Sequence, residues 1–184
     1  SSDDVLNLLN DMAILPPITF EPLGRVTALN NGANGVLLNQ SGTEGVYALL
    51  AGVEADNNTG GDGIHANLVS DNGDAYAILV DSDAAFNADD GIDLTLNAYG
   101  YAISALVFPD VYFNGDQGIH IAQTSLAADS FALLSGADAW DNGGVGLWYN
   151  LSAAAGDAAL AVTATESEGN GGRGGNFILN AGDE

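Results

Sequence analysis

A motif of the form Asn-x-x-x-Gly-apolar returns along this chain at an almost constant interval. It reads Asn31-Gly-Ala-Asn-Gly35-Val36, then Asn58 to Gly63-Ile64 with one extra residue, then Asn87-Ala-Asp-Asp-Gly91-Ile92. Asn114-Gly-Asp-Gln-Gly118-Ile119, Asn142-Gly-Gly-Val-Gly146-Leu147 and a degenerate Asn170-Gly-Gly-Arg-Gly174-Gly175 follow. Successive motif glycines lie 28, 28, 27, 28 and 28 residues apart. A period held over nearly the whole length means one structural unit stacked on copies of itself, because each unit alone is too small to bury its apolar face.

Each unit contains three short strand-like pieces separated by Gly, Asn, Asp and Ser. One follows the glycine, as in Gly63-Ile-His-Ala, Gly91-Ile-Asp-Leu and Gly118-Ile-His-Ile. A more apolar one comes next: Val46–Leu50, Ala75–Val80, Tyr101–Leu106, Phe131–Leu134 and Ala158–Val162. The last leads into the next asparagine: Val53-Glu-Ala, Ser82-Asp-Ala, Pro109-Asp-Val, Ala137-Asp-Ala and Thr165-Glu-Ser. Three strands and three turns in about 28 residues make one coil of a parallel β-helix, with equivalent strands ~4.8 Å apart along the axis. Residues 1–17 read differently. Val5, Leu8, Leu9 and Met12 fall on one helical face, Ser2, Asp3 and Asp4 suit a helix N-terminus, and Pro16-Pro17 ends the run. The expectation is an all-β β-solenoid over 18–184 with an N-terminal helical cap over 1–17.

The pattern resembles the right-handed parallel β-helix superfamily of pectate lyases, polygalacturonases and many secreted adhesins. The resemblance implies that Asn31, Asn58, Asn87, Asn114, Asn142 and Asn170 form an internal ladder. An amide in an inward turn can donate to one coil and accept from another, which is the physical basis of such a row. The adjacent glycine is expected to supply a positive φ at the corner. The resemblance also raises enzymatic expectations. Polygalacturonase-like members use paired aspartates with Gly-His-Gly and Arg-x-Lys motifs. Asp89-Asp90 offers a pair, but Gly118-Ile-His120 departs from the second motif and the chain has no lysine.

Charge narrows the partners. Twenty-five acidic residues face only Arg25 and Arg173, a formal net charge of −23. Nucleic acid and anionic lipid need Lys and Arg at the interface, so neither is expected. A polyuronate substrate would be repelled. No apolar run approaches the length of a membrane helix, so no membrane insertion is expected. There is no cysteine for disulfide or thiolate chemistry. The opening Ser-Ser-Asp-Asp fits a processed secreted chain or a piece of a longer one.

In a stack, function is read down columns. Glu54, Asp83, Asp110, Asp138 and Glu166 each stand four residues before a ladder asparagine, beside small apolar residues that turn them outward. Like charges ~4.8 Å apart repel by about 0.9 kcal/mol in water, so the column reads either as a solvated acidic edge or as a row of ligands for calcium, which prefers oxygen donors. Asp62, Asp89, Asp90 and Asp116 add acids at the corners. A second column, two residues after the motif glycine, holds Leu37, His65, Asp93, His120, Trp148 and Asn176. Its His-Asp-His trio spans ~9.6 Å of axis, too long for one tetrahedral metal site, and reads as a hydrogen-bonded surface row. In the apolar strands Leu49, Ile78, Ile103 and Leu133 mark an inward face. The alternate positions Ala48, Leu50, Ala77, Leu79, Ala102, Ala132 and Leu134 are then expected to be an outer apolar face that another copy or a partner covers.

These readings converge on a non-catalytic extracellular or cell-surface solenoid that self-associates as a homo-oligomer or filament, with calcium as the one cofactor suggested. The alternatives are an adhesin module for a cell-surface or matrix glycan, with Tyr112, Trp140, Trp148 and Tyr149 as stacking candidates, and a polysaccharide hydrolase or lyase.

Overall fold

Leaving the motif glycine, the chain runs extended for seven residues, turns, runs for six, turns again, and makes a three-residue strand before the next asparagine. One such coil is Ile92–Ala98, Ala102–Val107 and Asp110–Tyr112. The computed structural model describes residues 26–182. Over that span equivalent strands of successive coils pair in parallel, giving an all-β solenoid of about six turns and three sheets. The glycine-side sheet has six strands, the asparagine-side sheet six and the apolar sheet five. There is no helix among the described residues. The expected cap over 1–17 lies outside them.

Register follows the repeat. Asn-side pairing sets Glu54 against Asp83, Asp83 against Asp110, Asp110 against Asp138 and Asp138 against Glu166. The interior is filled by columns of like residues: Ile64, Ile92, Ile119 and Leu147 in one, Ala66, Leu94, Ile121 and Tyr149 in the next, all at most 3% exposed. Burying each large side chain of this kind contributes about 1.5–3 kcal/mol.

The asparagines stack at the corner between the asparagine-side and glycine-side sheets. Asn58 Nδ2 donates to Asn87 Oδ1 at 2.7 Å, Asn87 to Asn114 at 2.9 Å, Asn114 to Asn142 at 2.9 Å and Asn142 to Asn170 at 2.9 Å. Asn31 joins by its Nδ2 donation to Asn58, 2.8 Å. Each acceptor oxygen also takes the backbone N–H of the preceding ladder asparagine. The second amide hydrogen of Asn87, Asn114, Asn142 and Asn170 goes to a carbonyl of an earlier coil. A buried amide whose donors are all used is stable in a dry corner.

The glycine beside the ladder serves a different purpose from the one its neighbourhood suggests. Positive φ falls one residue before each asparagine, at Asn30, Asn57, Phe86, Phe113, Asp141 and Gly169, and not at the motif glycines. The motif glycines are needed for close approach. A Cβ on Gly91 would come within 2.7 Å of both Asn114 Nδ2 and Gly118 O.

The apolar sheet corrects the expected orientation. Ala48, Ala77, Leu79, Ala102, Ala132 and Leu134 are buried in the main core, and Leu50 packs partly buried against it. The alternate residues therefore point away from the axis. Tyr76, Ile78, Val80, Ile103, Ala105 and Val107 form a second apolar cluster, with Leu49, Phe131 and Leu133 packed against it. Ile103 pairs with Tyr76 and Phe131, while Ala105 pairs with Ile78 and Leu133. Ile103 lies 25 residues after Ile78, two short of the 27-residue register of these strands, so the two do not share a row. The seven residues read as a self-association face are thus interior residues. Six central members of the true outer row are at most 7% exposed.

Candidate functional site

Two outward regions carry chemistry. The first lies on the glycine-side sheet, where Leu37, His65, Asp93, His120, Trp148 and Asn176 are in register. His65, Asp93 and His120 are half-buried, and strand alternation points them outward. His65 Nδ1 lies 2.8 Å from Asp93 Oδ2, and His120 Nδ1 lies 3.1 Å from Asp93 Oδ1. One carboxylate is therefore held between two imidazoles from the coils on either side.

The corner acids complete this cluster, which the column alone did not reveal. Asp62 Oδ2 is 3.0 Å from His65 Nδ1, and Asp90 Oδ2 is 3.3 Å from His120 Nδ1. Both acids are held in place by a second side-chain row. The backbone N–H of Asp62 donates to Asn34 Oδ1, that of Asp90 to Asp62 Oδ1, and that of Gln117 to Asp90 Oδ1. The remaining oxygen of each acid is free to face an imidazole. The sequence signal was the position just before the motif glycine, which sets an acid three residues ahead of the histidine column.

Burial and charge oppose each other here. Burial alone would lower the His120 pKa, but the Asp90 and Asp93 carboxylates overcome it and hold the value up at about 9. The Asp62 carboxyl is raised chiefly by burial, offset in part by the Asp90 backbone N–H. Asp93 Oδ1 is buried without an aligned hydrogen bond; its contact with His120 is one of charge. Trp148 closes the row on its next-coil side, its ring edge-on to His120 with centroids 4.3 Å apart. Asp89 and Asp116 stand beside Asp90 at the corner, and burial followed by Asp90 and Asp116 raises Asp89.

The second region is the outer face of the asparagine-side sheet. Its acid column runs in register from Glu54 to Glu166, with Asp110, Asp138 and Glu166 exposed and Glu54 and Asp83 half-buried. Burial, then Asp83 and Asp138, push Asp110 above the usual carboxylate range. Beside it runs an aromatic group. Tyr112 stacks on Trp140 with centroids 4.8 Å apart, and Phe86 stacks on Phe113 at 5.2 Å. Phe113 meets Trp140 edge-on at 5.0 Å. The free side of Trp140 faces the next coil, whose Glu166 and Glu168 line an open depression of about 310 Å³ together with Trp140 and Asp138 of its own strand. Of the other stacking candidates, Tyr149 is fully buried and Trp148 belongs to the histidine column.

Together the three parallel sheets and the internal amide ladder define the class: a parallel β-solenoid. Compared with protein-family models, curated proteins and solved structures, the chain matches none. The reading of its function therefore rests on its own residues.

Proposed function

We propose that the protein is a non-catalytic structural and adhesive solenoid, acting outside the cell, that presents its asparagine-side sheet to a neutral glycan. The observation that carries this reading is Trp140. One face of its indole is stacked on Tyr112, and the other opens onto Asp138, Glu166 and Glu168. A sugar ring has an apolar face that packs on an aromatic ring and hydroxyls that donate to carboxylates. The rigid stack holds these groups with little ordering cost on binding. The scarcity of Lys and Arg argues against acidic saccharides.

Calorimetric titration with a panel of neutral oligosaccharides tests the proposal. Saturable binding that Trp140→Ala weakens at least tenfold, with the β spectrum unchanged, supports it. Binding only to basic polypeptides, collapsing as salt rises, would replace the glycan with a cationic partner. Turnover of any saccharide would replace adhesion with catalysis.

A second reading, association of copies along the axis, has its own observation. Phe177 and Leu179 continue the columns of Tyr149 and Leu151, yet are each 44% exposed where those are fully buried. A further coil completes such an edge, and a second copy can supply one. Sedimentation of the purified chain distinguishes the cases: a monomer at high concentration removes this reading and leaves the glycan proposal standing.

A further inference from the structure

The cluster of Asp62, His65, Asp90, Asp93 and His120 has a geometry that hydrogen bonds alone do not satisfy. Each imidazole directs one nitrogen, Nδ1, at two carboxylates. A single N–H can be aligned with only one acceptor. The shortfall falls on Asp93 Oδ1, which is buried and has only the His120 Nδ1 contact at 3.1 Å, a nitrogen it shares with Asp90. Asp90, whose side chain is 8% exposed, commits its other oxygen to Gln117 and directs Oδ2 inward.

The same atoms form two triads. In each, one imidazole nitrogen and two carboxylate oxygens lie within 4.8 Å of one another: Asp62, His65 and Asp93, and Asp90, Asp93 and His120. The nitrogen-to-oxygen separations are 3.0 and 2.8 Å in the first and 3.3 and 3.1 Å in the second. A first-row divalent ion holds such ligands at about 2.0–2.2 Å, so in a tetrahedral site neighbouring ligands stand about 3.3–3.6 Å apart, and the triads would open by a few tenths of an ångström to admit it. Asp93 belongs to both triads and gives one oxygen to each. The distance that rules out one ion across the whole trio is thereby divided into two positions, one coil apart.

We propose that this cluster binds first-row divalent transition-metal ions, such as zinc, in two adjacent positions bridged by the Asp93 carboxylate. Imidazole nitrogen selects these ions over calcium, which takes oxygen ligands and more of them. The backbone N–H groups that hold Asp62 and Asp90 are the supporting contacts that orient ligands in such sites. Trp148 shields the second position from solvent on one side. The site is independent of the glycan reading, because His65, Asp93 and His120 lie on a different sheet from Trp140.

The test is zinc titration of the full chain after chelator treatment and dialysis, followed by calorimetry and by metal analysis of the washed protein. The expected result is two zinc ions per chain. Asp93→Asn, which preserves shape, should weaken both at least thirtyfold. His65→Ala should remove one ion and His120→Ala the other, with circular dichroism reporting that the coil is intact. Asp138→Asn on the other sheet should change nothing. Zinc binding within threefold of the parent in Asp93→Asn, or displacement of zinc by an equal concentration of calcium, would overturn the site. One ion per chain in the parent would overturn the bridge.

Discussion

Asn114 gives one side-chain amide hydrogen to Asn142 Oδ1 at 2.9 Å, while the other goes back to Ala84 O at 3.0 Å. Its own oxygen accepts from the Asn87 side chain and backbone. One residue therefore ties together three coils in a corner that water does not reach.

Asn114→Ala removes these bonds and strands the buried donors of Asn87. With each unsatisfied buried group costing about 1–3 kcal/mol, the expected loss is about 3 kcal/mol of stability, read from urea unfolding. An equivalent change at exposed Asn97, which is outside the ladder, should cost under about 0.5 kcal/mol.

The glycines divide in the same way. A Cβ at Gly91 would overlap the Asn114 amide and the Gly118 carbonyl, whereas one at Gly32 meets nothing within 4 Å. Gly91→Ala should cost on the order of 1–3 kcal/mol or more of stability and lower the melting temperature accordingly. Gly32→Ala should leave it nearly unchanged. Equal effects at the two positions would show that conformational freedom, and not space, sets the requirement.

Asp110 carries a pH dependence of definite sign. Its carboxyl is raised by burial and by Asp83 and Asp138, so the folded state binds the proton more readily than the unfolded state. Stability from this group is present below its unfolded value of 3.8 and is lost as pH rises through the higher folded value. Asp110→Asn should therefore stabilise at pH 7, by well under ~1 kcal/mol because the group is exposed and screened. The gain should shrink as the solution is acidified toward pH 4. A gain that grew on acidification would contradict the assignment.

Calcium on the acid column gives a separate expectation. Millimolar CaCl₂ at fixed ionic strength should raise the melting temperature over that in EDTA, as any ligand of the folded state does. The Asp110→Asn and Asp138→Asn pair should remove the rise. An equal rise from NaCl or MgCl₂ would reduce the column to a screened acidic edge.

Much of the arrangement was legible in the repeat. The spacing of Gly35 through Gly174 implied the coil, and the asparagine, acid and histidine columns followed, because parallel in-register strands bring equivalent positions together. What the pattern did not disclose is instructive. Along Ala75–Val80 every residue is apolar and buried, so period-two alternation contained no information about which face turns inward. Taking Leu49, Ile78, Ile103 and Leu133 as the inward row placed Ala77 and Leu79 outside, the reverse of their position. Ala77, Ala102 and Ala132 face inward together with Leu79, Leu106 and Leu134, while Ala105 joins Ile78 and Ile103 in the outer cluster, so side-chain size does not separate the two faces.

The histidine cluster shows the same division. A sequence period determined that His65, Asp93 and His120 share a column, since strand spacing and register leave no alternative. That Asp62 and Asp90 curl back to the imidazoles, so that each imidazole nitrogen is shared between two carboxylates, was decided by the tertiary structure. Corner residues have no fixed side-chain direction until the neighbouring coil supplies the N–H groups that take one carboxylate oxygen and so aim the other.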